Sequence, residues 1–406
     1  MKIPHNRKRD NQQWLLDWVV NKSGRVINYE YDERELPPDV KTYSQVPKAL
    51  GRRADYKASI AEKAKESGHA RTALFTYQEA ISDYIQAQHA IFEDDNPIKL
   101  KYHQKLLRCF DSLIEVAEYP IERVEIPWEG NEIQANFHIL PDRPKAPCVI
   151  VLPGMDVTKE FHREPIDRTF TSRGMHAIVI DGPGQGTSNI RKIRITHNNY
   201  ERAVSAVVDW LTQRPEIDPK KIAVHGQSMG SHWAARSASY DNRIKATAAS
   251  MSCLGNKVGL FEQSSPRFKQ IFMYMAGIKD EEKFDEMALL MDTAGFGKKI
   301  ETPFLIITGE YDPLSPLESA EEFYDELSGA KELWVLEDYY HLIVKPPHFG
   351  GILQFNAKAD WIRDALEGKF SAKHERYVYI SKSGLGQYTP ECDGRVSTDP
   401  DLRPRI

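Results

Sequence analysis

The sequence predicts an α/β protein: a doubly wound, mostly parallel sheet with a helical domain in front of it and a helical cap inserted into it. Three observations predict this. Residues 1 to about 118 carry helical periodicity almost throughout, and at Ile121 the period changes to short apolar strands alternating with helices. The alternation is interrupted once, by about fifty residues between the strand near Ile244 and the strand at Phe304. Alternation of this kind places ligands at the carboxyl ends of the strands, and the interruption is far longer than a connection needs.

In the first region, residues 12–21 are a short amphipathic stretch and residues 51–66 a helix stopping near Gly68. Residues 70–92 place Ala73, Tyr77, Ala80, Tyr84, Ala87 and Ile91 on one helical face. Asn96-Pro97 opens a further helix that ends near Tyr119-Pro120. The Ala/Tyr pattern resembles a tetratricopeptide unit, but one helical hairpin cannot bury a core, so the region is read as a domain packed on the α/β part of the chain.

After Ile121, residues 121–128 and 132–140 flank Glu129-Gly130-Asn131 as a hairpin. Strands are expected at 148–152, 176–180, 221–225, 244–251, 304–308 and 333–336, and helices at 158–173, 199–213, from 229 and at 353–366. The resulting division is a helical domain over 1–118, an α/β domain over 119–370 with a cap at 254–298, and a polar tail over 371–406 that wraps the surface or a partner subunit. The cap is rich in Phe and Met, including Phe261, Phe268, Phe272, Met273, Met275, Met287 and Met291. Its alternative reading is an extra helix packed on the sheet edge.

Composition narrows the function classes. The chain has 406 residues, enough for a domain of about 250 residues plus an accessory region. Its net charge of −5 gives no electrostatic footprint for nucleic acid. No apolar run is long enough to span a bilayer, and the N-terminus lacks the apolar core of a signal peptide, so the expected compartment is the cytoplasm. Cys109, Cys148, Cys253 and Cys392 are far apart, with no C-x-x-C pair, and no cluster has metal-ligand spacing; neither metal nor cofactor is expected.

The strongest chemical signal is Gly226-Gln227-Ser228-Met229-Gly230, directly after an apolar strand and directly before a helix. So tight a strand–turn–helix leaves no room for side chains at the glycines and holds the serine strained and exposed. The helix N-terminus also offers the Met229 amide to an oxyanion.

A serine hydroxyl is a weak nucleophile and needs a base and an orienter, here in the order Ser, Asp, His. Asp312 lies in the loop past the 304–308 strand, with Glu310 as its competitor. His341 follows the 333–336 strand, with His348 as its rival in the same loop. His225 and His232 flank the elbow on elements that point them elsewhere.

The second oxyanion amide is assigned to Met155, after Gly154 in the loop closing the 148–152 strand, while Asp156 is read as a loop or helix-capping residue. Asp181-Gly-Pro-Gly-Gln-Gly186 has the wrong spacing for a dinucleotide fingerprint and is read as a turn lining the pocket.

Taken with the N-terminal helices, Pro153-Gly-Met-Asp-Val-Thr-Lys-Glu160, Asp181–Gly186, Gly226–Gly230 and Gly309-Glu-Tyr-Asp312 resemble one α/β-hydrolase family. It is the family of 2,6-dihydroxypseudooxynicotine hydrolase and the fungal yellowish-green polyketide-shortening hydrolases, with the fermentation-respiration switch esterases more distant. The resemblance implies the α/β-hydrolase fold and a triad of Ser228, Asp312 and His341. It also implies cleavage of a carbon–carbon bond next to a ketone, or of an acyl chain from a polyketide, and assembly as a homodimer. A cap acid, Glu262, is implied for carbon–carbon cleavage; Phe261, Phe272 and Met273 of the Phe- and Met-rich cap are read as substrate contacts. Asp338-Tyr-Tyr-His341 departs from the Gly-rich approach to histidine of bacterial members.

The reading is a serine hydrolase acting on an acyl-aromatic or polyketide-like small molecule, with no nucleic-acid or membrane partner. Its rivals are an acyltransferase or cyclase on the same triad, a plain carboxylesterase, and a non-catalytic interaction protein.

Overall fold

The computed structural model describes residues 18–20, 26–28, 36–37, 40–155, 157–263, 266–351, 354–382 and 388. Cys392, Asp156 and most of residues 12–21 lie outside them. Trp18–Val20 (β1) and Val26–Asn28 (β2) pair antiparallel, so the described end of the 12–21 stretch is a strand, not part of a helix. A β-branched Val-Val pair suits a ladder better than a helical turn.

Three long helices come next: Val46–Glu66 (α1), Ala70–His89 (α2) and Pro97–Glu115 (α3). The Asn96 side chain caps α3 by accepting from the amides of Ile98 and Lys99, with Pro97 at the first helical position. Ala73, Tyr77, Ala80 and Tyr84 are buried, and part of this face packs against Leu106, Phe110 and Leu113 of α3.

Among the described residues the main sheet has nine strands. In chain order they are Ile121–Trp128 (β3), Asn131–His138 (β4), Ala146–Leu152 (β5), His176–Asp181 (β6), Ile217–Gln227 (β7), Ile244–Ser250 (β8), Phe304–Gly309 (β9), Lys331–Leu336 (β10) and Glu375–Ile380 (β11). Their spatial order is β11-β10-β9-β8-β7-β5-β6-β4-β3, parallel from β11 to β6 and antiparallel across β4 and β3.

Helices Glu164–Asp167 (α4), Gly186–Ile190 (α5), Tyr200–Thr212 (α6), Met229–Tyr240 (α7), Pro266–Ala276 (α8), Glu281–Leu289 (α9), Leu317–Glu326 (α10) and Gln354–Leu366 (α11) lie between and around the strands. β5, covered on both faces, is apolar at every position (Ala146-Pro-Cys-Val-Ile-Val-Leu152). Ile150 and Leu152 of β5 join the core under α6 and α7, while Val149 and Val151 join the core under α11.

Two expectations are corrected here. The 371–406 segment does not begin as a surface tail, because Glu375–Ile380 adds a parallel edge strand to β10. The helix expected over 158–173 is broken into Lys159–Phe161, α4 and Thr171–Arg173. The buried Glu164 carboxylate accepts from the amides of Phe170 (3.0 Å) and Thr171 (2.7 Å) and from the Thr171 hydroxyl (2.8 Å). Those bonds turn the chain back on itself through a left-handed Arg168.

Candidate active site

Sheet register brings the site together. Leu152 at the end of β5 lies opposite Gly226 of β7, and Gln227 lies opposite Ser250 of β8. The chain then leaves β7 through Ser228, whose φ of 54° and ψ of −130° are strained for any residue with a side chain. Its amide donates to the Ser250 carbonyl at 3.0 Å, which fixes the turn. The flanking glycines are sterically required. A Cβ on Gly226 would strike the Gly230 carbonyl, and one on Gly230 would strike the Leu152 carbonyl. Both obstacles are backbone and cannot rotate away.

His341 Nε2 lies 2.8 Å from Ser228 Oγ, and His341 Nδ1 lies 2.7 Å from Asp312 Oδ2. A carboxylate can only accept, so Nδ1 carries the proton and Nε2 presents its lone pair to the serine hydroxyl. The other Asp312 oxygen accepts from the amides of Leu314 (2.8 Å) and Ser315 (3.3 Å), which fixes the carboxylate plane. The arrangement can move a proton from the serine to an imidazole whose tautomer is set from behind.

The competing residues have other partners. Glu310 accepts from the Asp338 amide at 2.7 Å and the Tyr379 hydroxyl at 3.0 Å, stitching the loop that carries His341. His348 Nε2 lies 2.8 Å from the Glu337 carbonyl. His225 contacts the buried Lys358 amine at 2.9 Å, and His232 is buried on α7.

Met229 is the first residue of α7, where helix geometry leaves an amide without an intrahelical partner. Met155 is buried just past Gly154, whose Cα lies close enough to Ser228 that a Cβ there would sit 3.4 Å from the serine Cβ. The loop is held by Gln185, a residue that the sequence places only in a turn. Gln185 Nε2 donates to the Gly154 carbonyl at 2.7 Å, while Gln185 Oε1 accepts from the Tyr200 hydroxyl at 2.5 Å. The available signal was that Gln185 is the one amide side chain of the Asp181–Gly186 turn.

Ser228 opens into a cavity of about 330 Å³. Its walls come from α2 (Ile85, Gln86, His89), from the broken stretch after β5 (Val157, Phe161, His162, Arg163) and from the far side (Met251, Leu342, Val344, Phe355). Among the described residues, none that lines it belongs to the 254–298 insertion. That insertion, a π-helical turn Gly259–Gln263 followed by α8 and α9, instead supplies Ile271, Tyr274 and Met275 to a smaller cavity of about 60 Å³. Gly184, Gln185 and Gly186 line that second cavity, as does Met155.

The expected substrate contacts from the insertion sit elsewhere. Phe261 and Phe272 are buried against each other and against Phe284, with ring centroids 5.0–6.1 Å apart. Met273 is partly buried against the same core. Glu262 accepts from Lys269 Nζ at 2.6 Å, and Lys269 also meets Asp285 at 2.6 Å. The reason is geometric: Phe at helical spacing buries against its own neighbours, and an acid beside a buried ammonium is held there. Among the described residues no group of three or more acidic, His or Cys side chains is placed to hold a metal ion, and no helix is long and apolar enough to cross a membrane.

The fold and the elbow define an α/β hydrolase, and the chain is a hydrolase by its relatives. It belongs to the prolyl oligopeptidase family, whose match spans residues 166–368. It is 26% identical over 325 residues to the 2,6-dihydropseudooxynicotine hydrolase of Paenarthrobacter nicotinovorans, covering 77% of this chain and 84% of that one. It is 28% identical over 236 residues to the α/β hydrolase xenA of Xenoacremonium sinensis, where the match spans only 55% of this chain and 54% of the relative. The solved 2,6-dihydroxy-pseudo-oxynicotine hydrolase shares the fold, with a TM-score of 0.72 and 23% identity, over 89% of this chain and 98% of that one.

Proposed function

We propose that the chain is a serine hydrolase that cleaves an ester, or a carbon–carbon bond next to a ketone, in an acyl-aromatic or polyketide-like small molecule. Ser228 attacks the carbonyl, His341 takes its proton, and Asp312 orients the imidazole. The amides of Met229 and Met155 stabilise the oxyanion. The proton then goes to the leaving group, and water, deprotonated by His341, attacks the acyl-enzyme, so that the acid leaves and His341 returns the proton to Ser228.

The observation that carries this reading is the pair of contacts at 2.8 and 2.7 Å along Ser228, His341 and Asp312, opening into a cavity of about 330 Å³. A cavity of that size suits a small molecule. The name of the Paenarthrobacter relative, a 2,6-dihydropseudooxynicotine hydrolase, supports a small-molecule substrate.

The test is a fluorophosphonate label on the wild type and Ser228→Ala, followed by turnover of a short-chain aryl ester and an acyl-resorcinol ketone. Labelling lost in Ser228→Ala supports the nucleophile, and equal labelling of both proteins overturns it. Cleavage of the ester alone makes the protein an esterase, whereas cleavage of the ketone makes it a carbon–carbon hydrolase.

A further inference from the structure

The walls of the Ser228 cavity are mostly apolar: Ile85, Val157, Phe161, Leu342, Val344 and Phe355. Polar side chains interrupt them, among them His162. Its ring is clamped by stacking on Phe170, with centroids 6.0 Å apart and planes 10° from parallel. Among the described residues neither of its ring nitrogens has a hydrogen-bond partner; Nδ1 is fully enclosed, and the residue lines the cavity. A fixed imidazole with unused hydrogen-bonding capacity on a mostly apolar wall is suited to recognise a polar atom of a bound molecule.

Charge on the same wall decides what kind of polar atom. Arg163 is held between Asp167 (3.3 Å) and Glu79 (3.2 Å), so its cation is already matched by two carboxylates. An anionic substrate group would find no unmatched cation here, while a hydroxyl can donate to or accept from a neutral imidazole. Burial pushes the His162 pKa down to about 3, which keeps the ring neutral near pH 7.

We propose that His162 is a hydroxyl-binding subsite of the Ser228 cavity, selecting an acyl-aromatic substrate that carries a ring hydroxyl over its unhydroxylated analogue. This rests on the assignment of Ser228 as the nucleophile, and the experiment separates the two. Binding of propiophenone and its ortho-, meta- and para-hydroxy derivatives is measured by ligand-observed NMR to Ser228→Ala, which cannot turn them over. The same series is measured on Ser228→Ala combined with His162→Phe and with His162→Gln.

One hydroxy isomer should bind roughly tenfold tighter than the parent ketone, the scale of one added hydrogen bond. That ratio should collapse towards one with His162→Phe, which keeps the stack on Phe170, and should be partly restored with His162→Gln. A ratio unchanged by His162→Phe, or no binding of any of the four ketones, overturns the subsite. Labelling of wild-type Ser228 by the fluorophosphonate reports the nucleophile independently. A protein that fails to label but shows the binding preference would keep the subsite and lose the hydrolase.

Discussion

The Gln185 side-chain amide donates to the Gly154 carbonyl at 2.7 Å, and so ties the turn after β6 to the loop after β5. Gln185 is itself held by the Tyr200 hydroxyl, and the Tyr200 ring stacks on Trp233 with centroids 4.0 Å apart and planes 4° from parallel. Trp233 lies on α7, the helix that begins directly after Ser228. A closed path therefore runs from one side of Ser228, through the loop proposed to carry an oxyanion amide, and back to the other side. The side chains along it, Gln185, Tyr200 and Trp233, are all buried.

That path makes Gln185 a positioning residue. Gln185→Glu keeps the shape and the acceptor for Tyr200 but replaces the donor facing the Gly154 carbonyl with a second oxygen. The loop should shift by a fraction of an ångström, costing about 10- to 100-fold in kcat, as displaced oxyanion donors do, with KM moving far less. Steady-state kinetics on the aryl ester checks this. A fall in kcat/KM arising from KM alone would mean that Gln185 shapes the pocket and leaves the amide where it was.

Asp312→Asn should lower kcat by roughly 10³–10⁴-fold. An amide at this position can donate to His341 Nδ1, favouring the tautomer whose Nε2 carries a proton and cannot receive one from Ser228. The Leu314 and Ser315 amides still find an acceptor in the remaining oxygen, so the fold should persist. Unchanged circular dichroism with lost turnover is the expected pair of results, and turnover within tenfold of wild type would remove Asp312 from the role of orienter.

Glu164 gives a pH signature of stability. Burial raises its pKa to about 7, although the hydrogen bonds from Thr171 and Phe170 pull the other way. An unfolded glutamate ionises near 4.5, so between that pH and about 7 the folded state binds more protons than the unfolded one and wild-type stability falls as pH rises. Glu164→Gln, which keeps an oxygen for the Phe170 and Thr171 amides, should lose this decline. Denaturation of both proteins at about pH 5, 6 and 7 checks it; parallel curves would mean the carboxyl is ionised in the fold throughout.

What the sequence disclosed depends on how local each constraint is. Gly226 and Gly230 are dictated by backbone atoms a few residues or one strand away, and that local demand is written as a motif. The same holds for Asn96-Pro97 at the start of α3.

The residues lining the cavity obey no local rule. Ile85 and His89 lie on a helical face like any core position of α2, and only the docking of that helix over Ser228 turns them into cavity wall. The strand at Glu375–Ile380 was hidden because its first half is exposed or half-buried at the sheet edge, where polar residues are tolerated. In the 254–298 insertion, the aromatic residues that suggested a substrate pocket pack as a cluster of their own.

Lys358 supplies the last prediction, because among the described residues no carboxylate pairs with its amine. Its amine lies 2.9 Å from His225 Nε2 and donates to the Ser250 hydroxyl at 3.0 Å, with the Phe355 ring centroid 4.1 Å away. Burial drives its pKa well below the usual lysine value. A neutral amine has two N–H groups, which match these two neighbours. Above about pH 10.5 the lysine is neutral whether folded or unfolded; as pH falls, only the unfolded chain takes up the proton, and wild-type stability is eroded. Lys358→Met has no such proton. Near pH 10 it should be the less stable protein by roughly 1–3 kcal/mol, since His225 and Ser250 each lose a buried partner. The deficit should shrink by up to roughly 1.4 kcal/mol per unit as pH is lowered towards about 7. Urea unfolding of both proteins across that range measures it. A deficit that stays constant with pH would show an ammonium inside the fold, and the Ser250 carbonyl that anchors the Ser228 amide would then sit beside a full positive charge.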